Sequence, residues 1–279
     1  MNSYMDMNYV PPKDAYVSTI KHDFYNLPIK IKKLAVNGKT GSSIMETDNL
    51  SNIDEFKNIS NLSAFDIVAN TSQRDYMSET TFDKYRCGSS SLLNAYFLLG
   101  GDFNLLADKF VLDKSLTYKS IHLAQDKIYS YANVDNKEGL ESSYVYSYDK
   151  SGTIKKVVSR GEMSKAAQIM GLNVKPLIGS NVKTINNKKE SIDNFLQNNK
   201  GVLVVSVYLN TSTGEISSIS EKENNHYVTV FKANNQFYLA DTGRKSTGQK
   251  NNLMSLENNQ IDSLVYNNPS VINGITIGD

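Results

Sequence analysis

Three residues of this chain together have the chemistry of a nucleophile, a base and an orienting acid: Cys87, His226 and Asp241. Cys87 is the one cysteine among 279 residues, which excludes an intramolecular disulfide framework and any multi-cysteine zinc or iron–sulfur site. It is followed by Gly88-Ser89-Ser90-Ser91 and then by the apolar run Leu92 to Leu99, stopped by Gly100-Gly101. Small residues, a dense apolar run and a glycine stop predict a buried helix with Cys87 at its N-terminus. There the free backbone N–H groups and the helix dipole favour the thiolate, the form in which cysteine attacks carbonyl carbon. Arg86 adds positive charge if it points the same way. A cysteine on an apolar helix is by itself more often an inert core residue, so the weight of the reading falls on the pair downstream.

His226 opens HYVTVFKA and Asp241 closes QFYLAD, two stretches of period-two alternation joined by Asn234-Asn235. A two-residue turn there predicts a β-hairpin whose paired residue numbers sum to 469, because 234 and 235 face each other across it. Asp241 then lies opposite Val228 and within diagonal reach of His226 on one face. An imidazole beside a carboxylate is held in one tautomer and becomes a better base. Taken alone, His226 reads equally as a strand-edge residue, and Asp241 before Thr242-Gly243 reads as the start of a turn. With Cys87 they read as nucleophile, general base and orienting residue. His22 lies in a polar stretch and His122 lacks an acidic partner at useful spacing, so both read as structural or surface residues. Three scattered histidines without a His-x-x-x-His pair predict neither a metal site nor a metal cofactor.

The elements that must position these residues begin after about residue 60. Residues 1–60 are polar and weakly patterned, with Pro11, Pro12 and Pro28 and the loop-like NGKTGSS segment, and read as an extension for targeting or partner binding. Gly38-Lys39-Thr40 is not a phosphate loop, since Lys33 stands where its first glycine is required. Residues 61–279 read as the catalytic domain. After the cysteine helix, a second helix is expected over 104–112, and 125–157 reads as loops with one hairpin around Lys150 to Gly152. Ser159 is expected to cap a helix over 161–170, followed by a strand from Val174 to Ile178, a helix from Ser191 to Asn198 and a central strand in VLVVSVYLN. Residues 211–225 read as a polar loop. Met254 to Val265 is expected as a last helix and Val271 to Ile277 as a last strand.

Composition narrows the function. With 30 Lys plus Arg against 29 Asp plus Glu, no long-range field draws the chain to nucleic acid or an anionic membrane. The 17 tyrosines are scattered and do not interleave with basic residues as a single-strand binding platform requires. The most apolar stretches are about half the length that spans a bilayer as a helix, so no membrane span is expected. The opening MNSYMDMNYVPP lacks the basic start and apolar run of a secretory signal, which points to the cytoplasm or to delivery without a classical signal.

Residues from about 80 to 245 resemble a papain-like cysteine peptidase, and more narrowly the bacteriocin-processing, double-glycine-leader type. The stretches that carry the likeness are YRCGSSSLLNAYFLLGG, SRGEMSKAAQIMGLNVKPL, SIDNFLQNNKGVLVVSVYL and NHYVTVFKANNQFYLADTGR, in that order. The resemblance implies an α+β papain-like fold, a helical part with the nucleophile Cys87 packed on an antiparallel sheet with His226 and Asp241, acting on a protein or peptide amide. Such peptidases place an oxyanion-hole glutamine about six residues before the cysteine; Thr81 stands there, and Gln73, fourteen before, is the nearest candidate. The leader-processing enzymes are fused to a transporter, whereas this chain is expected to stand alone. Its polar, Asn- and Ser-rich start also resembles effectors that bacteria inject into host cells, among which are proteases, glutamine deamidases and acyltransferases. An inactive papain-like binding module is the competing class.

Overall fold

The computed structural model describes residues 35–36, 39–40, 54–73, 86–132, 144–148, 154–159, 162–177, 185–198, 201–209, 216–217, 226–233, 235–242, 252–268 and 272–278. In chain order, β1 (Ala35–Val36) pairs with β2 (Lys39–Thr40). Four helices follow: α1 (Ala64–Asn70), α2 (Cys87–Leu98), α3 (Phe103–Phe110) and α4 (Tyr118–Ala132). The hairpin β3 (Tyr144–Tyr148) with β4 (Ile154–Ser159) leads to α5 (Glu162–Ile169), β5 (Leu172–Pro176), α6 (Ile185–Asn198), β6 (Val202–Leu209) and β7 (Ile216–Ser217). The chain closes with β8 (His226–Ala233), β9 (Gln236–Ala240), β10 (Leu253–Ser255), α7 (Asn258–Ile261), a π turn over Asp262–Tyr266 and β11 (Ile272–Ile277).

The main sheet runs β10-β9-β8-β6-β11-β5, with β7 attached to β6, and every pairing in it is antiparallel. The last strand is inserted between β6 and β5, so α6 carries the chain across from one to the other. Alternation along the central strands sorts their side chains to two sides. Val202 and Val204 of β6, with Tyr227 and Phe231 of β8, join the core formed with α1 to α5. Leu203, Val205 and Val207, with Val228 and Val230, join the core under α6 and the π turn. The architecture is therefore mixed helix and antiparallel sheet, an α+β arrangement.

Several expectations are corrected. Residues 118–132 were expected to belong partly to loops, yet they form α4, the longest helix described, with Ile121, Ala124 and Ile128 in the core. Its polar residues are themselves inside: His122 and Gln125 are fully or nearly buried, which hid the apolar stripe. Ser159, expected as the cap of a helix over 161–170, is the last residue of β4, and α5 spans Glu162–Ile169. Met254 lies in β10, and the last helix begins later, at Asn258, and widens into the π turn. Ile216 and Ser217, expected within a loop, form β7. The packed domain also starts before residue 61: Ile59 is buried in the core, its amide bonds the Leu116 carbonyl, and Glu55 is buried against α4. His22 lies outside the described residues.

Candidate active site

Helix α2 begins at Cys87 and is buried along nearly its whole length. Its start has no side-chain cap; Ser89 Oγ donates instead to the Arg86 carbonyl at 3.0 Å. Because α2 is buried on all sides, its Ser89, Ser90, Ser91 and Asn94 included, it is held from every direction rather than along one stripe. Thr229 Oγ1, in the middle of β8, donates to the Ser91 carbonyl at 3.0 Å and ties the helix to the strand that His226 opens.

On the sheet side, Ala233 pairs with Gln236 and Thr229 with Ala240, the register expected from a two-residue turn at Asn234-Asn235. Asn235 has φ 64°, the left-handed conformation that such turns demand and that asparagine tolerates. Asp241 leaves β9 one residue past Ala240, and its Oδ1 lies 2.7 Å from Nε2 of His226. Cys87, His226 and Asp241 are 1, 0 and 0% exposed. Burial disfavours the charged imidazole, but the Asp241 carboxylate and its hydrogen bond, joined by Cys87 acting both as hydrogen-bonding and as charged neighbour, overcome it and push the ring up to about 10. The three side chains therefore act on one another electrostatically. With Nε2 on Asp241, Nδ1 is the nitrogen left for proton exchange with the sulfur; it reaches no well-formed hydrogen bond in this state, and such bonds often tighten only around substrate.

Gln73, expected as a candidate oxyanion donor, is fully buried beside the residue that follows Asp241. Its amide donates to the Thr242 carbonyl at 2.8 Å, and Thr242 Oγ1 donates to Gln73 Oε1 at 3.5 Å. Sequence reasoning missed the neighbours that hold it. Arg86 Nη1 donates to the Gln73 carbonyl at 3.4 Å, and Arg86 Nε lies 2.7 Å from Asp126 Oδ1 of α4. These partners are separated in sequence by 13 and 40 residues, and no local periodicity announces them. His122 also gains an acidic partner, Glu55, with Nδ1 and Oε1 2.8 Å apart. That corrects its reading as a residue without one, and the pair fastens the start of the domain to α4.

Two open clefts of about 420 Å³ each lie elsewhere, one beside Phe237 and Tyr266 and one beside Phe97 and Phe103, and neither is lined by Cys87, His226 or Asp241. Among the described residues no cluster of three His, Cys, Asp or Glu could hold a metal ion, and no helix is long and apolar enough to cross a membrane. A sulfur, an imidazole and a carboxylate coupled in this order can perform nucleophilic acyl transfer without a metal. No family model, no curated protein and no solved structure matches the chain.

Proposed function

We propose that the protein is a cysteine hydrolase with a papain-like arrangement that cleaves a protein or peptide amide through Cys87, His226 and Asp241. The observation that carries the proposal is the 2.7 Å contact of His226 Nε2 with Asp241 Oδ1, with Cys87 acting on the same ring. The Cys87 thiolate attacks the amide carbonyl carbon and a C–S bond forms. Collapse of the tetrahedral adduct breaks the C–N bond as the His226 imidazolium gives its proton to the departing amine. Water, deprotonated by His226, then attacks the thioester, and the C–S bond breaks to return the thiolate. The Cys87 backbone N–H binds the oxyanion, with Gln73 as second donor.

Cleavage, glutamine deamidation and acyl transfer share every step but the identity of the leaving amine or the acceptor. Delivery into a host cell as a bacterial effector belongs to the same proposal and rests on the N-terminal composition alone. Incubating candidate bacterial and host proteins with wild type and with Cys87→Ala, followed by mass spectrometry, separates the outcomes. New peptide termini identify a peptidase, a mass gain of about 1 Da at glutamine a deamidase, and an amine adduct an acyltransferase. No Cys87-dependent change in any arm sinks the enzyme reading.

A second reading has its own observation: all three residues are closed to solvent, at 1, 0 and 0% exposure. A papain-like binding module that has lost turnover would keep such a buried constellation for packing. Thiol alkylation distinguishes the two, because a cysteine paired with imidazolium reacts well into acidic pH and an ordinary buried one only at high pH.

A further inference from the structure

Residues 69–73 run as a strap between the exit of β9 and the start of α2, bonded on both sides. On the β9 side, the Asn252 amide donates to the Ala69 carbonyl at 2.7 Å and the Asn252 side chain donates to the Thr71 carbonyl. Asn252 in turn accepts from the Asp241 amide at 3.1 Å, and Gln73 donates to the Thr242 carbonyl at 2.8 Å. On the helix side, Gln125 of α4 donates to the Ser72 carbonyl at 3.0 Å, and Arg86 donates to the Gln73 carbonyl. The chain thus links the backbone of Asp241 to the residue immediately before Cys87.

On the helix side the strap depends on charge as well as on hydrogen bonds. Arg86 is 4% exposed, and a buried guanidinium is held in one place only where an anion compensates it. Asp126, 2.7 Å from Nε, is that anion, and it projects from α4, an element that carries no residue of the proposed mechanism. We propose that Asp126 is a positioning residue of the cysteine site: by fixing Arg86 against the Gln73 carbonyl, it sets the start of α2, and with it Cys87, against the His226–Asp241 pair. The inference rests on the cysteine-hydrolase reading and extends it to a residue that touches neither substrate nor reacting atoms.

The test uses the full chain and iodoacetamide, and reads the ratio of the Cys87 alkylation rate at pH 6 to that at pH 9. An ordinary thiol loses roughly two hundredfold in this ratio, and a thiolate paired with imidazolium loses little. A change that merely loosens the fold exposes Cys87 in opened molecules, where it reacts as an ordinary thiol, and is recognised by a pH 9 rate that rises above that of wild type, whereas loss of positioning lowers the pH 6 rate with the pH 9 rate near wild type. Asp126→Ala is expected to lower the ratio roughly tenfold at a temperature where its circular dichroism is native, and Asp126→Glu, which keeps the charge, to restore most of it. If Asp126→Ala fails to fold, Asp126→Asn, which keeps the shape and drops the charge, takes its place. An unchanged ratio in a folded charge-free variant overturns the inference, as does failure of Asp126→Glu to recover it. His226→Ala separates the two levels of the argument. A wild-type ratio already that of an ordinary thiol and indifferent to His226→Ala overturns the hydrolase reading and this inference with it, whereas a ratio that responds to His226→Ala but not to Asp126 overturns this inference alone.

Discussion

His226 must serve as acid in one half of the proposed reaction and as base in the other, and its neighbours change between the two. Before acylation, Asp241 and Cys87 hold the ring up to about 10 against the opposing effect of burial, so it is protonated at neutral pH and ready to donate. Once the sulfur is acylated, its charge is gone, the ring loses that part of its support, and it becomes a better base towards water. Because His226 moves protons directly and Asp241 only orients and stabilises the cation, the two substitutions differ. His226→Ala is expected to lower kcat by about ten-thousandfold, the upper end for loss of a general acid–base, while Asp241→Asn leaves a measurable residue of activity. Single-turnover rates on any substrate found by mass spectrometry check the order; an Asp241→Asn rate equal to that of wild type would remove Asp241 from the mechanism. The same shift predicts pH-dependent stability. A ring raised from 6.5 to about 10 contributes stability that is complete below the unfolded value and lost as pH rises through the folded one. Melting temperature should therefore fall between pH 6.5 and 10 in wild type and fall less in Asp241→Asn, and parallel curves for the two proteins would contradict the coupling.

At the scale of elements, the parts of the site within reach of a local pattern were legible and those made by distant segments were not. Helix α2 announces itself by small residues, an apolar run and paired glycines, and the β8–β9 hairpin by two alternating stretches around Asn234-Asn235, so the register that brings Asp241 to His226 follows from the turn length. The Arg86–Asp126 pair, the Gln73–Thr242 bonds and the Glu55–His122 pair join segments far apart in sequence, and their residue types do not distinguish them from solvated polar residues. Helix α4 was hidden for a related reason: its buried face includes Ser120, His122 and Gln125, which break the apolar period. The sheet has an equivalent long-range feature in Phe195 of α6, whose ring lies over Gly201 and Gly274. A Cβ added at Gly274 would meet the ring at 2.7 Å, and one at Gly201 would meet it at 2.3 Å and the Ile275 carbonyl at 2.7 Å. Gly274→Ala should therefore destabilise by about 1–3 kcal/mol through overpacking. In the background of Phe195→Leu, which trims the ring, the additional loss should be smaller; a urea-denaturation cycle giving strict additivity would show that the ring is not what forbids the methyl group.

At the largest scale, the described residues centre on one seven-stranded antiparallel sheet with a helical core on each side, and the proposed site draws on both the sheet and the helices of α1 to α5. Cys87 belongs to the α1–α5 core, together with Ile59 from the stretch that precedes α1. That stretch was expected to belong to an extension for targeting or partner binding up to residue 60, and its last part packs into the domain. Ile59 is 2% exposed and Glu55 1% exposed, the latter against His122 and with its carbonyl accepting from the Lys119 amide at 2.9 Å. Removing these residues would open a core position and leave His122 buried without its carboxylate. Loss of a buried Ile side chain alone costs about 2–5 kcal/mol when the site cannot collapse, which is a large share of the stability of an ordinary domain. A chain shortened to begin at residue 61 should therefore melt well below one shortened to begin at residue 50, measured as urea midpoints with the slope compared between the two. The double substitution Glu55→Gln with Ile59→Ala in the full chain should reproduce most of the difference, because it removes the same two anchors while keeping the backbone. If the two shortened chains had equal midpoints, the 54–60 stretch would contribute nothing to the core, and the domain would begin at α1 after all.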